Sequence, residues 1–238
     1  MATELAPRDI EEAYAVQAAY MDLKAADAGG YGGYKIGFTT KVMQQRIGAM
    51  EPAYGRILAD TLLPSPARVS ASEYGRIGVE CEVAVRMAED LPASDGPFER
   101  ERVFDAVGEI MAAFEVIDGG SFAGERSIPQ SIAMNLMGAG AVLGEPVENW
   151  RDLELSGARC ELKLNGKSAG SGVGSDLNGH PVEPMVWIAN ALRSRGRSLH
   201  KGDIVITGSM IPPALLEAGT SALLSMDHLG SVMLHVEE

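Results

Sequence analysis

The chain has few of the residues that mark several common kinds of protein. Its 238 residues include two cysteines, too few for the disulfide framework of a small secreted domain, and their spacing is not of a metal-binding type. No apolar run reaches the length of a transmembrane helix, and the N-terminus lacks the basic and apolar regions of a secretion signal. We therefore expect reduced thiols and a cytoplasmic protein.

Basic residues are also in deficit. Lysines and arginines number 20 against 33 aspartates and glutamates, which gives a formal charge of −13 and a pI of ≈ 4.8. Such a balance argues against partners that are nucleic acids or anionic membranes. An anionic substrate would then need a local positive charge or a metal ion to hold it.

Motifs for nucleotide binding and for nucleophilic hydrolysis are missing. The glycine-rich stretch 170–181 has neither the G-x-G-x-x-G spacing nor a Walker lysine, and no serine stands in a G-x-S-x-G motif. We interpret the stretch as a loop with several positive φ angles. The alternative is a loop whose backbone N–H groups approach a ligand carboxylate.

What the sequence does contain is a set of glutamates within apolar, strand-like segments. Glu80 and Glu82 lie in the segment GVECEVAV, and Glu115 lies in AFEVI. Because side chains alternate along a strand, Glu80 and Glu82 point to the same face. A solvated sheet face is the common explanation of such a pair, but neither segment otherwise alternates polar with apolar residues. Carboxylates in apolar surroundings favour a hard divalent cation, Mg²⁺ or Mn²⁺.

A lysine and an aspartate lie in similar segments nearer the N-terminus. Lys35 is part of the glycine-flanked segment GGYKIG. It either extends to the surface or is buried with a perturbed pKa suited to acid–base chemistry. Asp60 ends the segment RILAD and is either a turn residue or a partner of Lys35.

Strands outnumber helices in the predicted order of elements. We expect helices at residues 8–27, 98–108 and 184–195, and strands around Lys35, at 54–60, at both glutamate segments, at 157–164 and at 203–207. Hairpins are expected at Asn165-Gly166 and around residues 227–230. Turns join most strands, so we predict an α+β fold with a largely antiparallel or mixed sheet. Prolines near residue 64 divide a small N-terminal α/β part, residues 1–64, from a catalytic domain, residues 65–238.

Together these segments resemble the fumarylacetoacetate hydrolase superfamily, in particular its 2-keto-4-pentenoate hydratase and 4-oxalocrotonate decarboxylase branch. The similarity extends from about Glu12 almost to the C-terminus. The matching segments are YKIGFT (34–39), GRILAD (55–60), Glu80-x-Glu82, FEV (114–116), GSDLNGHP (174–181), WIANAL (187–192) and GDIVITG (202–208). The resemblance implies a mixed β-roll core with peripheral helices, and a homo-oligomer.

The resemblance also implies roles for individual residues. It makes Glu80, Glu82 and Glu115 the ligands of Mg²⁺ (or Mn²⁺), Lys35 the acid–base residue, Asp60 a second polar catalytic group, and Ser175 and Thr207 neighbours of the substrate carboxylates. The implied enzyme is a hydro-lyase of aromatic-compound catabolism that acts on a small 2-oxo or 2-hydroxydienoic acid. It would add water to a 2-hydroxy-2,4-dienoate of the 2-oxo-4-pentenoate type and give a 4-hydroxy-2-oxo acid.

Two alternatives stay open: a 4-oxalocrotonate-type decarboxylase of a 2-oxo-3-enedioate, and a non-catalytic member that binds a small acid. The first histidine is His180, so nothing matches the His–Glu dyad of the superfamily's C–C hydrolases. The N-terminus looks shorter than is usual in this branch, without a leading helix. We favour hydration because the sequence offers no obvious second cation for a distal carboxylate, and Arg46 has no clear role.

Overall fold

The computed structural model describes residues 6–120 and 127–238 as strands flanked by short helices. The helices are α1 (Ile10–Ala25), α2 (Lys41–Ile47), α3 (Arg100–Ala106), α4 (Ile128–Ala133) and α5 (Pro184–Ser194). The strands are β1 (Tyr31–Gly37), β2 (Ala53–Leu58), β3 (Leu62–Pro64), β4 (Ala67–Ser70), β5 (Ile77–Met87), β6 (Val107–Asp118), β7 (Gly138–Leu143), β8 (Arg159–Leu164), β9 (Lys167–Val173), β10 (Ile204–Ile206), β11 (Ile211–Leu215), β12 (Ser221–Met226) and β13 (Gly230–Glu237). None of the helices in these ranges is both long and apolar enough to cross a membrane.

The larger sheet has β5 and β6 at its centre. Its strands follow the order β2-β1-β10-β5-β6-β7-β3, and β11 pairs with another part of β5. The antiparallel ladder of β5 and β6 runs from Ile77 opposite Asp118 to Arg86 opposite Glu109. The pairs β1–β10 and β3–β7 are parallel, so the sheet is mixed, as predicted.

The smaller sheet has the order β4-β13-β12-β8-β9. The Asn165-Gly166 turn between β8 and β9 has positive φ angles at both residues, 49° and 78°, as a type I′ hairpin requires. Strands β12 and β13 pack against β6, and their buried side chains Leu224 and Leu234 join the same core as Phe114. One face of the larger sheet is therefore covered by the smaller sheet.

The other face of the larger sheet carries the candidate site. Residues on β6 alternate between the two faces, with Phe114 in the main core and Ala113 in a second, smaller apolar cluster. On β5, Val83 belongs to the main core and Ala84 to the smaller cluster. Since side chains alternate along a strand, Glu115 lies on the face of the smaller cluster, together with the even-numbered residues of β5.

Strands from both sides of the predicted boundary at residue 64 belong to the larger sheet. Strand β1 pairs with β10, and β3 pairs with β7. The sheet thus crosses the division between residues 1–64 and 65–238, and that division stays a prediction.

The glycine-rich stretch differs from its prediction as a loop. Gly170 and Gly172 lie within strand β9 and do not have positive φ angles. A Cβ atom at Gly172 would lie 2.5 Å from the Met210 carbonyl oxygen, and one at Gly170 would lie 2.6 Å from Cγ2 of Ile211. These glycines are needed because β9 packs closely against Met210 and Ile211, at the start of β11, and the loop prediction is wrong at these positions.

Candidate metal and catalytic site

The three glutamates come together because of the register between β5 and β6. Glu80 lies directly opposite Glu115 in the ladder, and Glu82 follows two residues later on the same face of β5. One carboxylate oxygen from each residue lies within 4.8 Å of the others. Glu82 and Glu115 are each 1% exposed, and Glu80 is half-buried. A solvated sheet face is therefore the wrong explanation of this pattern.

Lys35 belongs to the same buried group. The register runs from Lys35 across Ile206 of β10 to Ala84 of β5, which places the lysine on the face of the glutamates. Lys35 is 4% exposed, and its Nζ lies 2.7 Å from Oε1 of Glu115. The ammonium also donates to the Leu136 carbonyl at 3.4 Å. Of the two interpretations of Lys35, burial is the one that the structure supports.

One ammonium is shared by three carboxylates, and the pKa values reflect this imbalance. Burial works to lower the pKa of Lys35, but Glu115, Glu80 and Glu82 outweigh it and raise that pKa above its ordinary value. Burial raises the pKa of Glu115 to about 8, although Lys35 opposes it. Burial, together with the charges of Glu115 and Glu80, raises the pKa of Glu82 well above its ordinary value. The group is short of positive charge.

The donor atoms fit a hard divalent cation. Within the described residues neither oxygen of Glu115 has a hydrogen bond of good geometry, although Lys35 Nζ is close to one of them. A buried anionic oxygen without such a bond is unfavourable unless a cation compensates it. Mg²⁺ and Mn²⁺ prefer carboxylate and other oxygen ligands, so this set of glutamates has the chemistry that either ion requires.

The segment after β10 orients Glu82. The Gly208 N–H donates to Oε2 of Glu82 at 2.6 Å. A Cβ atom at Gly208 would lie 2.3 Å from Oγ1 of Thr39, and its φ of +119° also favours glycine. Thr207 is fully buried, and its hydroxyl donates to the Val83 carbonyl at 3.0 Å. A hydroxyl has one proton to donate, so in this arrangement none is left for a substrate carboxylate, and the predicted contact of Thr207 stays a prediction.

A cavity of ≈ 390 Å³ borders Glu80 and Glu82. Its walls come from the end of β1, from α2 and from the chain around the start of β11. Apolar side chains on these walls are Ile36, Phe38, Val42, Met43, Met210, Ile211, Pro212 and Pro213. A pocket of this size, with carboxylates at one end and apolar walls, suits a small organic acid whose carbon chain lies against the walls.

Two charged residues on the cavity wall have no local sequence signal that points to a site. Arg46, on α2, is exposed and makes no ion pair with another residue of the described ranges. Asp176 lies in the turn after β9, where its carboxylate accepts from the Val173 N–H at 2.9 Å. The sequence offers no obvious second cation for this site, but the fold of α2 brings Arg46 to the cavity wall.

Two predicted site residues lie outside this group. Asp60 is exposed in the turn Ala59–Thr61, five residues beyond Gly55, the β2 partner of Lys35. Strand β2 ends at Leu58, so at about 3.3 Å per residue Asp60 lies roughly 10 Å or more along the strand direction from the partner of Lys35. Ser175 is exposed, and its neighbour Asp176 lines the cavity in its place. The structure does not bring Asp60 or Ser175 to the glutamates.

A strained turn lies beside Lys35. Asn135, Leu136 and Met137 have φ angles of 56°, 52° and 64°, a region that costs a non-glycine residue on the order of 1–3 kcal/mol. Asn135 is 2% exposed. Its side chain accepts from the Arg56 N–H at 2.7 Å and donates to the Arg56 carbonyl at 2.8 Å, which attaches the turn to β2. The sequence gives no local signal for this turn, since no glycine marks these positions.

The chain is similar in sequence to known enzymes and similar in fold to a solved structure. The relatives include 2-hydroxyhexa-2,4-dienoate hydratase of Comamonas testosteroni, 28% identical over 232 residues, which are 96% of this chain and 87% of the relative. They also include 2-keto-4-pentenoate hydratase of Paraburkholderia phymatum, 29% identical over 224 residues, which are 94% of this chain and 85% of the relative. Among solved structures, 4-oxalocrotonate decarboxylase from Pseudomonas putida G7, complexed with magnesium and adipate, has a TM-score of 0.89 at 22% identity and covers 96% of this chain and 86% of its own.

These likenesses confirm the predicted fold, an α+β arrangement with a mixed β-roll core and peripheral helices. Residues 41–237 match the family model described as fumarylacetoacetate (FAA) hydrolase, C-terminal. The match includes most of the chain and all three glutamates, and it confirms the resemblance inferred from the sequence. The chain belongs to the fumarylacetoacetate hydrolase family.

Proposed function

We propose that this chain is a divalent-cation-dependent hydro-lyase. It adds water to a 2-hydroxy-2,4-dienoate of the 2-oxo-4-pentenoate type and gives a 4-hydroxy-2-oxo acid. The observation that carries the proposal is the pairing of Glu80 with Glu115 on one sheet face, with Glu82 and the buried Lys35 against them. The likeness to named hydratases over 96% and 94% of the chain supports the same reaction class.

We propose Glu80, Glu82 and Glu115 as the ligands of Mg²⁺ or Mn²⁺. Similar structures complexed with magnesium, calcium or Mn²⁺ support a divalent ion at this site. When bound, such an ion supplies Lewis-acid chemistry to a 2-oxo acid. The protein fixes the ligands in advance: the β5–β6 ladder holds Glu80 opposite Glu115, and the Gly208 N–H holds Glu82.

The reaction moves protons at defined atoms of the substrate. Ketonisation removes the proton of the 2-hydroxyl group and places a proton on C5, which leaves a 2-oxo-3-enoate. Water then bonds through its oxygen to C4 and loses a proton, while C3 gains one. We propose the Nζ of Lys35 as the group that carries these protons, because it lies in contact with Glu115 inside the same buried group.

The remaining predicted residues have less support. Asp60 and Ser175 are exposed and are not part of the cavity wall, and the Thr207 hydroxyl is bonded to Val83. Their predicted roles, as a second polar catalytic group and as neighbours of the substrate carboxylates, are kept as hypotheses. The apolar wall of the cavity excludes water from the carbon chain of the acid, and it is proposed to hold that chain beside the glutamates.

Decarboxylation of a 2-oxo-3-enedioate is the second candidate. Such a substrate has a carboxylate at its far end, and the guanidinium of Arg46 gives the cavity a group that binds carboxylates in a bidentate manner. The 22% identity to the decarboxylase shows the fold alone, so the position of Arg46 on the cavity wall is what favours decarboxylation.

The two reactions are separated by an assay of the purified protein with Mg²⁺. Loss of the ultraviolet absorbance of 2-hydroxypenta-2,4-dienoate, without release of CO₂, supports hydration. Release of CO₂ from 2-oxo-3-hexenedioate, with no hydration of the dienoate, supports decarboxylation instead. No turnover of either acid with Mg²⁺ or Mn²⁺ would overturn both and leave the non-catalytic, acid-binding alternative.

Arg46→Ala tests the cation on the cavity wall, with Lys41→Ala as the matched control. Lys41 is an exposed cation on the same helix α2, and it does not line the cavity. If Arg46 binds a distal carboxylate, Arg46→Ala lowers kcat/KM for the enedioate by about 10–100-fold and leaves the dienoate little changed. An equal effect on both acids, or an equal effect of Lys41→Ala, would contradict that role.

We further propose a homo-oligomer that acts in the catabolism of aromatic compounds in the cytoplasm, as the resemblance implies. Light scattering on the purified protein tests the first of these. A mass equal to that of one chain, 25.2 kDa, at micromolar concentration would refute the oligomer.

A further inference from the structure

Among the described residues, Lys35 is ion-paired with Glu115 and hydrogen-bonded to the Leu136 carbonyl, and these two partners come from different parts of the fold. The Glu115 carboxylate is held by the β5–β6 ladder, and the Leu136 carbonyl belongs to the strained turn. An ammonium group has three N–H donors in a fixed tetrahedral arrangement. The Leu136 carbonyl accepts one of them, and the ammonium is also ion-paired with Glu115, so the position of the turn affects where the remaining N–H groups point.

The positive φ angles of the turn at residues 135–137 require other contacts to stabilise them. Leu136 and Met137 do not favour positive φ angles, because their Cβ atoms meet the backbone there. Asparagine tolerates this region, and the side chain of Asn135 also uses both its acceptor and its donor on the backbone of Arg56, at 2.7 and 2.8 Å. At 2% exposure this clamp is protected from competing water. Arg56 adjoins Gly55, the β2 partner of Lys35, so the clamp ties the turn to the strand beside the lysine.

The space between the turn and the lysine is filled. A Cβ atom at Gly55 would lie 2.9 Å from Oδ1 of Asn135 and 3.1 Å from Cδ of Lys35. A Cβ atom at Gly138 would lie 3.4 Å from both Oε1 of Glu115 and Cε of Lys35. The turn and the lysine side chain are therefore packed closely around these two glycines, most tightly at Gly55, and a shift of the turn would move the lysine side chain.

We propose that Asn135 is a positioning residue for Lys35. It holds the left-handed turn so that the Leu136 carbonyl fixes one N–H of the ammonium and leaves another free for the substrate. The inference rests on the proposed function, in which Lys35 carries protons. Asn135 itself does not line the cavity beside Glu80 and Glu82.

Asn135→Gly tests the clamp, because glycine accepts a positive φ and only the side-chain bonds are lost. Gln17→Ala is the matched control: Gln17 is a buried amide that donates to the Tyr54 carbonyl at 3.0 Å and to the Ile132 carbonyl at 2.8 Å, and Lys35 is not among its partners. A catalytic group misplaced by about 1 Å loses roughly 10²-fold in rate. We therefore expect kcat of Asn135→Gly to fall about 10²-fold, with Mn²⁺ affinity from paramagnetic resonance little changed, and Gln17→Ala to keep kcat within about threefold.

A double-mutant cycle with Lys35→Met shows whether Asn135 acts through the lysine. If it does, the doubly substituted protein is no slower than Lys35→Met alone. Losses that multiply, a normal kcat in Asn135→Gly, or an equal loss in Gln17→Ala would each overturn the inference while the proposed function stands. A normal kcat in Lys35→Met would overturn the proposed proton carrier, and the inference with it.

Asn135→Asp keeps the test decisive if the glycine variant fails to fold. Aspartate tolerates a positive φ and retains the acceptor for the Arg56 N–H, but it replaces the donor with an oxygen that faces the Arg56 carbonyl and adds a buried charge. With half of the clamp kept, kcat is expected to fall by about tenfold. A folded Asn135→Asp protein with the wild-type kcat would also overturn the inference.

Discussion

Replacement of Glu82 by glutamine is expected to stabilise the metal-free protein while abolishing its affinity for divalent cations. Glu82 is 1% exposed, and one carboxylate oxygen each of Glu80 and Glu115 lies within 4.8 Å of a carboxylate oxygen of Glu82. Two unit charges 4.8 Å apart repel by about 3–4 kcal/mol at an effective dielectric constant of about 20. Lys35 offsets part of this repulsion. Glutamine removes the charge and still offers an oxygen to the Gly208 N–H.

Protonation limits how large this effect becomes, and it makes the effect depend on pH. Burial raises the pKa of Glu82 well above its ordinary value of 4.5, so the folded metal-free protein holds this proton more tightly than the unfolded chain does. Protonated Glu82 therefore contributes to the free energy of unfolding. This contribution is fully present below pH 4.5 and is lost as the pH rises toward the pKa of Glu82 in the folded protein. Each pH unit corresponds to about 1.4 kcal/mol, so the loss at about pH 8 is at most about 5 kcal/mol. We expect Glu82→Gln to gain about 2–4 kcal/mol at about pH 8 and less than about 1 kcal/mol at about pH 5.

Thermal unfolding in the presence of a chelator, followed by circular dichroism at both pH values, measures this gain. For a chain of this length about 1 kcal/mol corresponds to roughly 2–4 °C, so Tm should rise by about 4–16 °C at the higher pH. Glu109→Gln is the control, because Glu109 lies on the same strand as Glu115 but has its own partner, Arg86, at 2.6 Å. That variant should lose up to about 1 kcal/mol. With saturating Mg²⁺ the order of wild type and Glu82→Gln should reverse. A Glu82→Gln protein that melts below the wild type without metal at the higher pH would refute the crowding of these carboxylates.

Three further predictions follow from the same contacts. Lys35→Met should lower kcat by about 10²–10⁴-fold while Mn²⁺ still binds, and a rate near that of the wild type would remove Lys35 from the mechanism. Gly208→Ala should abolish Mn²⁺ binding, because its Cβ would lie 2.3 Å from a Thr39 oxygen. Gly219→Ala is the control, since Gly219 has a φ of +81° and nothing within 4 Å of the added Cβ. It should show only the backbone penalty of about 1–3 kcal/mol in unfolding experiments. The pKa of about 8 at Glu115 predicts that Mg²⁺ affinity, measured by titration calorimetry, falls as pH drops below about 8, with proton release on binding; an affinity independent of pH between 6 and 8 would contradict it.

The paired glutamates could be predicted from the sequence because the signal is local. Alternation along a strand fixes that Glu80 and Glu82 share a face, and the apolar neighbours indicate that the strand is buried. The same kind of local signal correctly predicts the helix at 184–195, observed at Pro184–Ser194, and the Asn165-Gly166 hairpin. Each of these predictions depends on residues within a few positions of one another.

Other parts of the site depend on contacts between distant segments, which the sequence does not reveal. Asn135 takes a positive φ because of its bonds to Arg56, which is 79 residues away. Asp60 follows a strand that contains the partner of Lys35, but the sequence does not show how far along β2 that partner lies. Gly170 and Gly172 look like loop residues in the sequence, and they are explained by the close approach of Met210 and Ile211 at the start of β11.

The register between β5 and β6 decides whether the glutamates of the two strands meet, and residues outside the site determine this register. If β6 slipped by one residue against β5, Glu115 would turn to the face of Phe114, into the main apolar core, so the hydrophobic pattern excludes that slip. A slip of two residues keeps the faces and would still separate Glu115 from Glu80. Close packing opposes it, since a Cβ atom at Gly78 would lie 3.1 Å from Cγ1 of its present partner Ile117, and a residue with a side chain brought opposite Ile117 would force that side chain to shift. The distance between the carboxylates is therefore set by a glycine and apolar side chains that touch neither of them.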